Sequence, residues 1–166
     1  YPDLLLLDLP EDSRLRKPIE TIKESGNRAV TIVQDLLTIA RGVATNKKLL
    51  NLNNLINDYL ESPEFVKLKQ YHPTVSIETN LDSTLLNILG SYIHLRKVLM
   101  NLVSNASEAI ERRGNIVIST ENRFLDTPFK AYEHVKVGEY AVLSVSDNGL
   151  GIPSVDLDRI FEPFYS

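Results

Sequence analysis

The chain contains no cysteine, which excludes a disulfide framework and thiolate chemistry and suits a reducing compartment. It also lacks any apolar run near the ~20 residues that cross a bilayer. The stretch Leu4 to Leu7 is short and follows Asp3, so neither a membrane span nor a signal peptide is expected. Basic runs are missing too. With 18 Lys and Arg against 22 Asp and Glu, the net charge of -4 argues against nucleic acid or an anionic membrane as the main partner. What is present suffices for a core: 166 residues at 43% hydrophobic content imply one soluble domain plus an appendage.

The organisation falls into two unlike parts. From Leu15 to Ala40, the residues Leu15, Ile19, Ile22, Gly26, Ala29, Val33, Leu36 and Ala40 recur at alternating steps of four and three, the seam of a coiled coil or helical bundle. Ser13 or Asp12 can cap this long helix, Pro18 fits only near its first turn, and Gly42 sits where it would stop. Gly26 costs the helix ~1 kcal/mol relative to Ala, which suits close approach of a partner helix. The only other upstream helical material, Asp3 to Leu9, is too short to cover the stripe. A bundle with a second copy of the chain is therefore expected.

After Gly42 the pattern changes to short strands and helices. Lys48 to Leu50 reads as a strand and Asn53 to Leu60 as a helix with Leu55, Ile56, Tyr59 and Leu60 inward. Val75, Ile77 and Thr79 alternate as a second strand, and Leu85 to Leu89 is a candidate third. Tyr92 to Arg113 is the clearest helix, with Leu95, Val98, Leu99, Leu102, Ala106, Ala109 and Ile110 on its apolar face and Lys97, Asn101, Asn105, Glu108 and Arg112 on the other. Gly114 follows as a stop. Ile116 to Thr120 and Tyr140 to Ser146 read as strands joined through a long hairpin loop containing Pro128. The fold class expected is α+β, with helices on one face of a mixed sheet.

Two segments point to chemistry. Asn101 and Asn105 lie on one face of a helix, where two amides can hold a divalent metal and the phosphates attached to it. Asp147-Asn148-Gly149-Leu150-Gly151 sets one carboxylate in a flexible turn. An Asp accepts from an exocyclic amine such as adenine's, and glycines let backbone approach a flat base. Leu143, Val145 and Asp147 share a strand face, so if the apolar pair meets the helices, Asp147 emerges beneath them. Alone, a turn and a solvated pair of amides are the commoner explanations. Together, in this order, the two segments describe an adenine nucleotide pocket.

At these residues the chain resembles a known family. HLRKVLMNLVSNASEAI is similar to the N box of sensor histidine kinases, SVSDNGLGIP to their first glycine box and DRIFEPFYS to their F box; together these belong to the Bergerat-type ATP-binding fold. IKESGNRAVTIVQDLLTIARG resembles the second helix of the dimerisation and phosphotransfer region in PAS-linked or nitrogen-regulator-type kinases. The resemblance implies a two-layer α/β sandwich over residues 46–166 and partial dimerisation helices over residues 1–45. It implies ATP and Mg²⁺ as cofactors: Asn105 on the metal, Asn101 supporting it, Asp147 on the adenine amine, and Gly149, Gly151 and Ile152 shaping the base pocket. Phe161 and Phe164 would open the lid over the nucleotide, core aromatics being the equal alternative for each ring.

The departures carry information as well. By resemblance the phosphoacceptor His lies just upstream of a segment like Tyr1 to Leu5, and the second glycine box follows the F box, so an incomplete lid, weakened nucleotide affinity and no autophosphorylation of this chain are expected. His72, His94 and His134 lack the acceptor's setting. Asn101 stands where related gyrase-type ATPases carry a water-activating Glu, and an amide takes no proton at neutral pH. Glu108, three residues after the metal Asn, has two readings: a catalytic role, as base or holder of a metal-bound water, or a solvated carboxylate. Arg112, one turn on, is a candidate cation for the phosphates. The implied activity is that of a cytoplasmic protein-histidine kinase. It would be homodimeric when intact, would relay phosphate to a response-regulator receiver domain, and would make no contact with nucleic acid or, through this segment, with membrane. A hydrolysing or serine-phosphorylating Bergerat ATPase and a noncatalytic nucleotide-sensing dimerisation module are the alternatives.

Overall fold

The computed structural model describes residues 1–40, 47–130, 134–157, 159 and 160, with backbone alone at 28, 31, 32, 34–40, 129 and 130. The chain divides into two compact units, Tyr1–Thr45 and Asn46–Ser166. In the first, a short helix α1 (Pro2–Asp8) precedes the long helix α2 (Arg16–Ala40). Ser13 Oγ accepts from the Leu15 amide at 3.3 Å just ahead of α2, and Pro18 falls in its first turn, where a missing N–H costs nothing. The two helices are stitched by Arg16, whose Nη1 donates to the Leu6 and Leu9 carbonyls at 3.0 and 2.7 Å, and by a Lys23–Asp3 ion pair. Where its side chains are described, the seam is open at Leu15, Ile22 and Val33, which are exposed, and at Gly26, where nothing lies within 4 Å of an added Cβ. Gly42 lies outside the described residues.

The second unit runs β1 (Lys48–Leu50), α3 (Leu52–Leu60), α4 (Pro63–Tyr71), β2 (Val75–Leu81), β3 (Ile88–Gly90), α5 (Tyr92–Glu108), β4 (Gly114–Leu125), β5 (Phe129–Lys130), β6 (His134–Val135) and β7 (Gly138–Asp147). Its main sheet has the order β2-β4-β7, with β2 parallel and β7 antiparallel to β4. Separate antiparallel pairs are β1 with β3 and β5 with β6. The mixed sheet and one helical layer match the expected two-layer α+β arrangement. From Gly114 to Thr120 of β4 the period of two is strict: Ile116, Ile118 and Thr120 are buried. Ile116 and Ile118 share a core cluster with Leu55, Ile56 and Tyr59 of α3 and Leu99, Val103 and Ala106 of α5. Each large apolar side chain buried there contributes roughly 1.5–3 kcal/mol of transfer free energy. Where β2 ends, Thr120 Oγ1 donates to Asn53 Oδ1 at 2.7 Å and accepts from the Asp82 amide at 3.1 Å, while Asn53 Nδ2 donates to the Asp82 carbonyl at 2.7 Å. This latch ties the start of α3 to the end of β2 and the middle of β4.

Several expectations are corrected. Helix α4 was not expected; Ser62 caps it by accepting from the Phe65 amide at 3.3 Å, with Pro63 at its first position. The third strand begins at Ile88, because Leu85 is buried ahead of it and gives its carbonyl to Asn51 Nδ2 at 3.1 Å. Helix α5 ends at Glu108, not Arg113. The Ala109 carbonyl accepts from the Leu150 amide at 3.0 Å, and Ile110 turns its side chain into the core against Gly114, so no further turn forms. The buried arc of α5 is also rotated from expectation: Val98 and Leu102 are 50% and 41% exposed, whereas Val103 and Ser107 are buried. The Ser107 hydroxyl is satisfied by the Val103 carbonyl at 2.8 Å. The hairpin loop holds the β5–β6 ladder.

Candidate functional site

Directly opposed residues of an antiparallel pair project to the same side of the sheet. Asp147 is opposite Ile116, Val145 opposite Ile118 and Leu143 opposite Thr120. All three β4 partners are buried under the helices, so the Asp147 carboxylate stands on the helix-facing side, at the rim where β7 ends, and is exposed. The two-residue period therefore carries the carboxylate beneath the helical layer, as the strand parity predicts.

The turn after Asp147 is bonded on three sides. Asp147 Oδ1 accepts from the Gly149 amide at 2.9 Å. Asn148 Oδ1 accepts from the Asn115 amide of β4 at 2.9 Å. Leu150 donates its amide to the Ala109 carbonyl at 3.0 Å, and the Ala109 amide in turn donates to the Asn105 carbonyl at 2.9 Å. One short chain of main-chain bonds thus joins the carboxylate's turn to the turn of α5 that carries Asn105. Gly149 is required by this contact: a Cβ there would stand 2.4 Å from the Ala109 oxygen. Gly151 is required by conformation, with φ of +72°, a left-handed value that residues with a Cβ disfavour.

Asn101 and Asn105 are both exposed on α5, and Ile152 is exposed just beyond the turn. Glu108, the last residue of α5, accepts from the Ser104 hydroxyl at 3.1 Å. Arg112 is corrected from a helix-face position: it is exposed in the link between α5 and β4, and its carbonyl accepts from the Thr74 hydroxyl. Phe161 and Phe164 lie outside the described residues. The roles of Asn148 and Ala109 are not visible in the sequence pattern, where the Asn of Asp-Asn-Gly reads as a turn former and Ala109 as one more apolar-face residue.

Among the described residues no group of three or more His, Cys, Asp or Glu side chains could hold a metal by itself. An amide donor fits Mg²⁺, which keeps several waters and commonly takes one or two protein ligands plus substrate phosphates. Displaced ionisation belongs to the scaffold. Burial pushes the Tyr59 phenol up to about 12, and the Thr84 hydroxyl and amide hold Asp82 below its ordinary value. No described helix is long and apolar enough to cross a membrane.

Comparison with known proteins gives this arrangement its context. Residues 90–166 match the family described as histidine kinase-, DNA gyrase B- and HSP90-like ATPase. The chain is 27% identical to the sensor kinase CckA of Brucella abortus over 99% of its own length and 17% of that protein's. It is 28% identical to the alginate biosynthesis sensor protein KinB of Pseudomonas aeruginosa over 95% and 24% respectively. The chain therefore spans a quarter or less of these two relatives. Among solved structures, histidine kinase ThkA in complex with the response regulator TrrA superposes with a TM-score of 0.69 at 26% identity, covering 96% of this chain and 42% of that one. The ThkA catalytic domain alone gives 0.56 at 25% identity, covering 74% and 71%. Residues 90–166 are accordingly a domain of the histidine kinase-, DNA gyrase B- and HSP90-like ATPase family, and the fold that carries them is that of a histidine kinase catalytic domain.

Proposed function

We propose that the chain binds ATP with the adenine amine on Asp147 and the phosphates, with their Mg²⁺, toward Asn101 and Asn105. The intact protein would be a sensor histidine kinase. The observation that supports this most is the joining of the Asp147 turn to the Asn105 turn of α5 through Leu150 and Ala109, with one family glycine where a Cβ would meet the Ala109 backbone and the other at positive φ.

In the proposed reaction an imidazole nitrogen attacks the γ-phosphorus, the bond to the β–γ bridging oxygen breaks, and ADP leaves. The phosphoryl group then passes to an Asp of a response-regulator receiver domain. Mg²⁺ supplies charge neutralisation on the phosphates. The chain's own residues bind and orient: Asp147 holds the base, Asn105 meets the metal-linked phosphates, Asn101 supports it, and the backbone at Gly149, Gly151 and Ile152 shapes the base pocket. Phe161 and Phe164 are assigned to the lid by resemblance, and Arg112 to the phosphates from the link before β4. Asn101 in place of a water-activating Glu favours transfer over hydrolysis. Glu108, held by Ser104 at 3.1 Å, is assigned to the attacking imidazole, the feature that resembles nitrogen-regulator-type kinases. ThkA, solved with its response regulator, supports the choice of partner. We further propose that residues 1–45 are dimerisation helices whose open seam takes a second copy, in the cytoplasm.

Titration calorimetry with ADP, with and without Mg²⁺, tests the reading. Asp147→Asn is expected to weaken ADP about tenfold or more, the worth of a hydrogen bond to a charged group. Asn105→Ala is expected to remove the part of the affinity that depends on Mg²⁺. Curves for both variants that overlay the parent's would defeat the assignment.

A further inference from the structure

Asn148 does more in this turn than permit a reversal. Its Oδ1 takes the amide of Asn115, the second residue of β4, at 2.9 Å, while Asp147 Oδ1 is engaged by the Gly149 amide at 2.9 Å. The fit against β4 is close: a Cβ on Gly114 would stand 2.4 Å from that same Asn148 oxygen and 2.8 Å from Ile110. Asp147 thus keeps Oδ2 for a ligand, and the direction of that oxygen follows the pitch of the turn. Two anchors set the pitch. One is the Leu150 amide on the end of α5, at 3.0 Å; the other is Asn148 on the start of β4. With the Asn148 bond gone, the residues beyond the Asp147–Ile116 strand pair keep one external bond, Leu150 to Ala109, and can pivot about it. Hydrogen bonds weaken steeply once their angle departs from linear, so such a pivot costs recognition even where the chain stays folded.

We propose that Asn148 is a positioning residue for base selection: by pinning the turn to β4 it aims Asp147 at the 6-amino group, and so sets the preference for a 6-aminopurine over a 6-oxopurine nucleotide. The inference rests on the assignment of Asp147 to the adenine amine. A 6-oxo group offers lone pairs, not a donor, to the carboxylate, so discrimination is large only when the carboxylate is correctly aimed.

The test is titration of the 166-residue chain and its variants with ADP, IDP and magnesium tripolyphosphate. Asn148→Ala removes the acceptor and is expected to lower the ADP-to-IDP affinity ratio about tenfold, with tripolyphosphate affinity unchanged. Asn148→Asp keeps an oxygen for the Asn115 amide and is expected to retain the parental ratio. An unchanged ratio in Asn148→Ala overturns the proposal. So does an equal loss in the Ala and Asp variants, since the acceptor then plays no part, and so does a parallel loss of tripolyphosphate binding, which marks a merely structural role. Should Asn148→Ala fail to fold, Asn148→Asp decides. A parental ratio together with a downfield-shifted Asn115 amide proton supports the proposal, and a collapsed ratio overturns it. A parent that binds ADP and IDP equally, or a ratio untouched by Asp147→Asn, refutes the underlying assignment instead, and is seen before any change at 148.

Discussion

Gly149→Ala is the sharpest perturbation the geometry offers. The added Cβ would lie 2.4 Å from the Ala109 oxygen, 2.7 Å from its carbonyl carbon and 2.9 Å from its Cβ. Two of these are backbone atoms that cannot rotate away. Ordinary contact begins at 3.4 Å, so the turn must retreat from α5 by about 1 Å. That carries the Leu150–Ala109 bond, now 3.0 Å, beyond hydrogen-bonding range, and disturbs the Asp147–Gly149 bond as well. Two bonds at about 1 kcal/mol each, plus partial orphaning of the Ala109 carbonyl, cost about 2–3 kcal/mol. For a chain of this size that lowers Tm by roughly 5–10 °C, and the displaced carboxylate weakens ADP at least tenfold, since a shift of about 1 Å in a binding group can cost that much. Gly151→Ala is the control. Nothing lies within 4 Å of its Cβ, but its φ is +72°, so it stores only the left-handed strain of about 1–2 kcal/mol. Thermal melts and ADP titration of both variants decide. A Gly149→Ala protein that melts with the parent, or one less damaged than Gly151→Ala, would refute the reasoning.

Two further outcomes concern the scaffold. Thr120→Val keeps the shape but removes the donor to Asn53 and the acceptor for the Asp82 amide inside a buried latch; chemical denaturation is expected to show a loss of about 1–3 kcal/mol, and an unchanged midpoint would mean the latch is idle. Asp82 accepts from the Thr84 hydroxyl and amide at 2.7 and 2.8 Å, which depress its folded pKa. Its contribution is therefore complete above the unfolded value and lost as pH falls through the lower folded one. Asp82→Ala is expected to narrow the gap to the parent as pH drops from 6 to 2 in denaturation curves; a gap independent of pH would remove the carboxylate from the account.

The carboxylate's setting was legible from a period of two: Leu143, Val145 and Asp147 alternate with polar neighbours, and the pairing with Ile118 and Ile116 honours that alternation. The family glycines were legible as well, because positive φ and close approach restrict residue choice severely. Helix α5 was harder. Its apolar positions span a wider arc than three strands and α3 can cover, so Leu99, Val103 and Ala106 are buried while Val98 and Leu102 stay exposed, a choice made by neighbours distant in sequence. The end of α5 depends on Leu150, more than forty positions away, and no local rule foretells it. Arg112 was misplaced for that reason. Helix α4 had its own signal in Ser62-Pro63, but only Phe65 and Leu68 pack against the core from it, which leaves a weak apolar periodicity.

The bond between Leu150 and Ala109 has a consequence for local opening. Because that carbonyl is committed to the turn, fraying of the last residues of α5 and release of segment 147–151 are one event with one free energy. Native-state hydrogen exchange should report a single cooperative unit there, and a bound ligand that slows exchange at Leu150 should slow it equally at Ala109.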